Sequence, residues 1–214
     1  MKKITEIYQE YNIMPILAIH QIRVASVALI ICDNLKLKID KDAVVKACLF
    51  HDIANIIKFN LDYFPEYNKP QGRDYWQGIK DEYISKYGDD EHKASVEIVK
   101  NIGLSEYIVH LVDTIDSGFI EKARNTNDFA EKICIYADNR VTPHGIVSIE
   151  ERSLEAKKRY ENHPHSFGED ERNFFMDNLR EVEKQIFSEC SIGPSDVNDE
   201  NIKIYIEELK DILV

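Results

Sequence analysis

The sequence predicts an all-α fold. Only eight glycines and six prolines punctuate 214 residues, and most segments between them repeat apolar residues at three- and four-residue spacing. No segment of useful length alternates with the period of a strand, and there is no internal repeat or low-complexity tract. Hydrophobic residues at 43% and charged residues at 31% describe a chain able to build one substantial core. The expected organisation is one domain over residues 1–190, then a short linker and C-terminal helix over 191–214. Ile202, Ile206 and Leu209 give that last helix an apolar side to pack on the domain or to form a homodimer.

Residues 2–11 make a short amphipathic helix with Ile4, Ile7 and Tyr8 on one side. A second helix runs from Pro15, suited to a first turn, to about Asp33. It sets His20, Arg23, Val24 and Val27 on one face, so two polar groups meet whatever it packs on. Its apolar run, ILAIHQIRVASVALIIC, is interrupted by His20, Gln21 and Arg23 and falls short of the roughly 20 residues of a membrane span. It therefore reads as a buried helix, and no membrane partner is expected. Asp40 is an N-cap for the helix carrying Ala43, Val44, Ala47, Cys48, His51 and Asp52, which should end soon after that last pair.

From Phe59 to Tyr87 the pattern loosens, with two prolines, two glycines and the only tryptophan among clustered tyrosines and phenylalanines. The stretch is too aromatic for disorder and too irregular for one helix. It is either a satellite hydrophobic cluster or a lid or rim beside a pocket. Asp89 or Asp90 caps EHKASVEIVKNIG, which stops at Gly103, and Ser105 caps SEYIVHLVDTID. Asn127 or Asp128 caps DFAEKICIYADNRV, which reaches Asp138 at its far end. Ser148 and Glu151 match a capping box for a helix through Tyr160. Another helix spans about Glu169 to Cys190, SIGPSDVND is a linker, and residues 200–213 form the last helix.

The formal net charge of −12 argues against a nucleic-acid polymer as partner, because binding one needs clustered Lys and Arg. Small anionic substrates are compatible with it. The start, MKKITEIYQEYN, carries no long apolar segment and no small-residue cleavage site, so a cytoplasmic protein is expected. Cys32, Cys48, Cys134 and Cys190 are widely spaced, with no C-x-x-C pair, and read as small core hydrophobes in a reducing compartment rather than disulfides or a zinc site.

The adjacent His51 and Asp52 interrupt an apolar run where a packed helix would carry apolar residues. Burying an ionised carboxylate costs several kcal/mol unless a cation or donor compensates it. A divalent metal would do so; alternatively Asp52 ends a helix near solvent and His51 is a hydrogen-bonded core residue. His20 and Asp138 occupy comparable positions on apolar helices. Two imidazoles and two carboxylates suit a hard or borderline divalent ion with open water positions, which can orient a phosphate ester and lower the pKa of a bound water.

The order of a histidine on an early helix, an adjacent His-Asp on the next and a distant Asp resembles the HD superfamily of metal-dependent phosphohydrolases. The surrounding text supports the resemblance: H-x-x-R-V at His20–Val24, FHDIANIIKF around the dyad, EHKAS at Glu91–Ser95 and YADNRVTPHGIVSIEER at Tyr136–Arg152. It covers roughly residues 15–160, and it implies an HD-domain helical bundle with additional C-terminal helices. It further implies that His20, His51, Asp52 and Asp138 bind the metal, which could be Mn²⁺, Mg²⁺, Co²⁺, Ni²⁺, Fe²⁺ or Zn²⁺. Arg23 would present its guanidinium fork to a phosphate, Lys58 would face substrate, and His92 would bind phosphate, act as a general acid or join a second metal.

Members with a second metal usually carry another histidine where this chain has VDTIDSG, which offers Asp113 and Asp116, with Asp116 as a substitute ligand. His110 lies off that register and reads as a surface or capping residue, as do His144, His163 and His165. The Gly-Tyr-Pro signature of the cyclic-dinucleotide phosphodiesterases is missing. So is the acidic pair of the guanosine-tetraphosphate hydrolases, with Asn55 in its vicinity. The expectation is a hydrolase of phosphate esters or anhydrides in a small molecule, a nucleotide above all, working by metal-activated water. The alternative is an inactive HD-domain nucleotide sensor.

Overall fold

Helix starts follow from single side chains that satisfy the otherwise unpaired first-turn N–H groups. Asp40 accepts from Ala43 N at 3.0 Å, Asp90 from Lys93 N at 3.0 Å, Ser105 from Ile108 N at 3.3 Å and Asp128 from Ala130 N at 2.8 Å. Ser148 and Glu151 form the reciprocal box, Ser148 N donating to Glu151 Oε2 at 2.9 Å and Glu151 N to Ser148 Oγ at 3.2 Å. The computed structural model describes residues 2–159, 161 and 167–214. Tyr160, His163 and His165 lie outside the described residues.

Among the described residues the helices are α1 (Ile4–Glu10), α2 (Pro15–Asn34), α3 (Lys41–Phe50), α4 (Arg73–Tyr87), α5 (Glu91–Ile102), α6 (Glu106–Thr114), α7 (Ile120–Asn125), α8 (Phe129–Asp138), α9 (Ile149–Arg159), α10 (Glu169–Ser188) and α11 (Lys203–Lys210). One antiparallel hairpin, β1 (Val141–Thr142) and β2 (Gly145–Ile146), pairs Val141 with Ile146 and Thr142 with Gly145. The fold is mostly helical, as an HD-domain bundle with added C-terminal helices requires.

The centre of the bundle is α2, packed by α3, α8, α11 and β1. At 20 residues and a mean hydropathy of 1.8 it is long and apolar enough to cross a membrane. The sequence reading judged this run too short for that because His20, Gln21 and Arg23 break it. In the fold every residue from Gln21 to Ile31 except Arg23 is buried against neighbouring helices. Around it, α3 also packs on α6 and α8, α5 on α6, and α10 across α7, α8 and α9. Phe50, Leu49, Ile98, Leu111, Ile133 and Tyr136 are fully buried where these helices meet.

The structure corrects four details. First, the aromatic segment divides into irregular chain with a short 3-10 turn at Pro65–Asn68 and then a regular helix, α4. That helix buries only Trp76, Ile79 and Tyr83, at three- and four-residue spacing, and its charged remainder obscures the period. Second, α3 ends at Phe50, so His51 is its C-cap and Asp52 lies in the following turn. Third, α7 and the hairpin have no counterpart in the sequence reading, since two-residue strands are too short to show a period. Fourth, α10 stops at Ser188 and α11 is confined to Lys203–Lys210.

The chain after Cys190 packs on the bundle. Arg140, itself buried, donates to the carbonyls of Pro194 at 3.2 Å and Val197 at 2.8 Å. Backbone bonds join Ile4 N to Ile212 O and Lys2 N to Val214 O, both at 3.0 Å. The four cysteines are free thiols, with Cys48, Cys134 and Cys190 buried and Cys32 partly so.

Candidate metal centre

Three mutually packed helices bring the donors together. His20 comes from the first half of α2, His51 from the end of α3, Asp52 from the turn beyond it and Asp138 from the last residue of α8. His20 Nε2 lies 3.1 Å from Asp138 Oδ1 and 3.6 Å from Asp52 Oδ2. His51 Nε2 lies 3.4 Å from Asp138 Oδ1 and 3.7 Å from Asp52 Oδ2. One ligand atom each from His20, His51 and Asp52 falls within 4.8 Å of the others, the arrangement of a site able to hold a metal ion.

The local structure aims these groups. His51 Nδ1 is 2.8 Å from the carbonyl oxygen of Cys48. A carbonyl can only accept, so Nδ1 carries a proton, and in the neutral ring that would bind a metal Nε2 presents its lone pair to the cluster. That Nε2 is buried and no group among the described residues completes a hydrogen bond to it. A buried polar atom left this way costs roughly 1–3 kcal/mol, and a metal ion bound to the neutral ring would satisfy it. Asp52 is steadied by the Asn55 side-chain amide, which donates to its Oδ2. The turn beneath is pinned to α5: Ala54 N donates to Ser95 Oγ at 3.1 Å, and Ser95 Oγ donates to Glu91 O at 2.9 Å.

The electrostatics also favour a cation. Burial works against a proton on His51, yet Asp52 and Asp138 outweigh it and push the imidazole up to about 10. Burial works against charge on Asp138, but His20 and His51 hold its carboxyl well below the ordinary carboxylate range. Positive charge is what this pocket stabilises, and neutral imidazoles around a divalent ion supply it with the donors present.

The other residues singled out in the sequence lie as follows. Arg23, one turn after His20, donates from Nη1 to the carbonyl of Pro143 at 3.0 Å, in the hairpin that follows Asp138. Lys58 Nζ pairs with Glu91 Oε1 at 2.7 Å. His92 Nε2 faces Asp113, 3.1 Å from its carbonyl and 3.3 Å from Oδ1. Asp116, the substitute ligand of the sequence reading, instead accepts from Gly118 N at 2.7 Å and opens a 3-10 turn. His110 is half-exposed and pairs with Glu131 at 2.9 Å, while His144 is exposed.

Sequence reasoning missed Asn55, Ser95 and the Cys48 carbonyl as supports of the dyad. Only Asn55, three residues beyond Asp52, carried a local signal.

Comparison with curated proteins and with solved structures returns no match. Residues 17–118 match the HD domain family, a span that contains His20, His51 and Asp52 and stops short of Asp138. The members of that family are typically metal-dependent phosphohydrolases, and the donor cluster of this chain suits such a metal. The chain thus carries an HD domain, and it does so over residues 17–118.

Proposed function

We propose that this protein is a metal-dependent hydrolase of phosphate esters or anhydrides in a small molecule, with a nucleotide as the leading substrate class, acting in the cytoplasm. The observation that carries the reading is the buried Nε2 of His51, which has no hydrogen-bond partner among the described residues and faces two carboxylates and a second imidazole. His20, His51, Asp52 and Asp138 would hold the ion. When bound, a divalent cation supplies Lewis acidity that activates water and neutralises charge on a phosphate.

The remaining work falls to the chain itself. Arg23 is held by a neutral carbonyl, so its guanidinium keeps its full charge and other N–H groups for a phosphate oxygen. Asn55 keeps Asp52 oriented, and the Cys48 carbonyl fixes the His51 tautomer. His92, beside Asp113, is the group we assign to proton transfer or phosphate binding.

A sensor that binds a nucleotide without turning it over is favoured by one observation: Lys58 and His92 are both engaged by acidic neighbours, Glu91 and Asp113. The deciding experiment loads the protein separately with Mn²⁺, Co²⁺, Ni²⁺ and Mg²⁺ and assays phosphate release from nucleotides and phosphomonoesters. Turnover with at least one metal is the expected result. Nucleotide binding without turnover under every metal would establish the sensor instead.

A further inference from the structure

Apart from the metal ligands, the chain gathers guanidinium groups on one face of α9. Arg152, Glu155 and Arg159 recur at three- and four-residue spacing and so line one side of the helix. Their side chains are only 15%, 25% and 20% exposed. The Glu155 carboxylate receives both arginines: Arg152 Nη1 donates to Oε2 at 3.1 Å, Arg159 Nη2 donates to Oε2 at 3.1 Å, and Arg159 Nε lies 2.9 Å from Oε1. Arg152 Nε is buried with no hydrogen-bond partner among the described residues. Two guanidiniums thus share this one carboxylate in a protein whose net charge is −12.

Helix α9 is tied to the helix that carries His20 through the hairpin. The hairpin that leads from Asp138 to α9 packs through β1 on both α2 and α9, and Arg23 of α2 bonds to its Pro143 carbonyl.

We propose that Arg152 and Arg159, linked to Arg23 through the hairpin, form an anion subsite that receives a second phosphate of the substrate, with Glu155 holding that position until the phosphate arrives. Two guanidiniums converging on one carboxylate fit a phosphate as they fit that carboxylate. The subsite selects diphosphates, such as nucleoside diphosphates, over monophosphates. It rests on the phosphohydrolase reading only for the first phosphate, the one at the metal.

The test is a calorimetric titration of the full chain with pyrophosphate and with orthophosphate, metal-free in EDTA. Pyrophosphate should bind about tenfold more tightly than orthophosphate, the scale of one charge-assisted hydrogen bond. Replacing both arginines (R152Q with R159Q) should abolish that preference. Glu155→Gln, which removes the resident carboxylate, should tighten pyrophosphate binding several-fold, a gain that a misfolded variant cannot give. Unchanged or weaker pyrophosphate binding by Glu155→Gln would overturn the proposal. Neither metal nor turnover enters this measurement, so failure of the chain to hold metal would count against the hydrolase reading alone.

Discussion

Two histidine–carboxylate pairs in this molecule have nearly the same geometry and different meanings. His20 and Asp138 meet at 3.1 Å, and His110 and Glu131 meet at 2.9 Å. The shorter contact is the less interesting one. His110 is 43% exposed, and Glu131, nearly buried, has Lys122 3.9 Å from its second oxygen. There two exposed basic side chains, His110 and Lys122, face one acid. At His20 and Asp138 a second imidazole and a second carboxylate converge from other elements, and one buried nitrogen has no hydrogen-bond partner among the described residues. Convergence of two imidazoles and two carboxylates marks a site; a short distance does not.

The contrast breaks or holds on measurements at both pairs. The largest effect is expected for Asp52→Ala, which should weaken metal affinity by about a hundredfold or more, since loss of a mere supporting contact already costs about 10–100-fold. Circular dichroism should show the helix content unchanged, and elemental analysis should show the metal gone. Metal retained at full stoichiometry would mean that Asp52 is not a ligand.

Calorimetric melting gives the second comparison. A divalent ion at about one hundred times its dissociation constant stabilises a folded protein by about 2.7 kcal/mol. That gain should appear in the wild type and in His110→Ala, and be absent in His51→Ala. Arg23→Ala should lower kcat/KM by about tenfold or more, for loss of a charge-assisted hydrogen bond worth about 1.5–3 kcal/mol, while metal content stays constant. The smallest effect belongs to His110→Ala, expected to change stability in urea unfolding by less than about 1 kcal/mol and metal stoichiometry not at all.

Much of this was legible in the chain because it is local. The caps at Asp40, Asp90, Ser105 and Asp128 act within two or three residues, and a cap can be read wherever a short polar residue precedes an apolar run. The four donors were visible as polar interruptions of apolar helices. Their supports were not, because they depend on tertiary approach: Ser95 reaches Ala54 across 41 residues, and His92 meets Asp113 across 21. Helix α4 escaped notice for a different reason, having three buried positions in 15 residues and thus little contrast between its faces. The hairpin is set by contacts from elsewhere, with Asp199 accepting from Ile146 N at 3.2 Å and closing on Gly145 so tightly that a side chain there would collide with it.

The position of Asp138 bears on how this protein could be cut into smaller working pieces. A fragment trimmed to the HD match at residue 118 would keep three donors, lose the fourth, and uncover the seam that Ile133, Cys134, Tyr136 and Ala137 fill. Keeping α8 is not enough, because Tyr136 and Lys132 are fastened to Glu183 and Gln185 of α10, each at 2.7 Å. Arg140 in turn reaches Val197. A piece that retains all four candidate donors and their anchorage therefore extends at least through Val197, well beyond the border that homology draws.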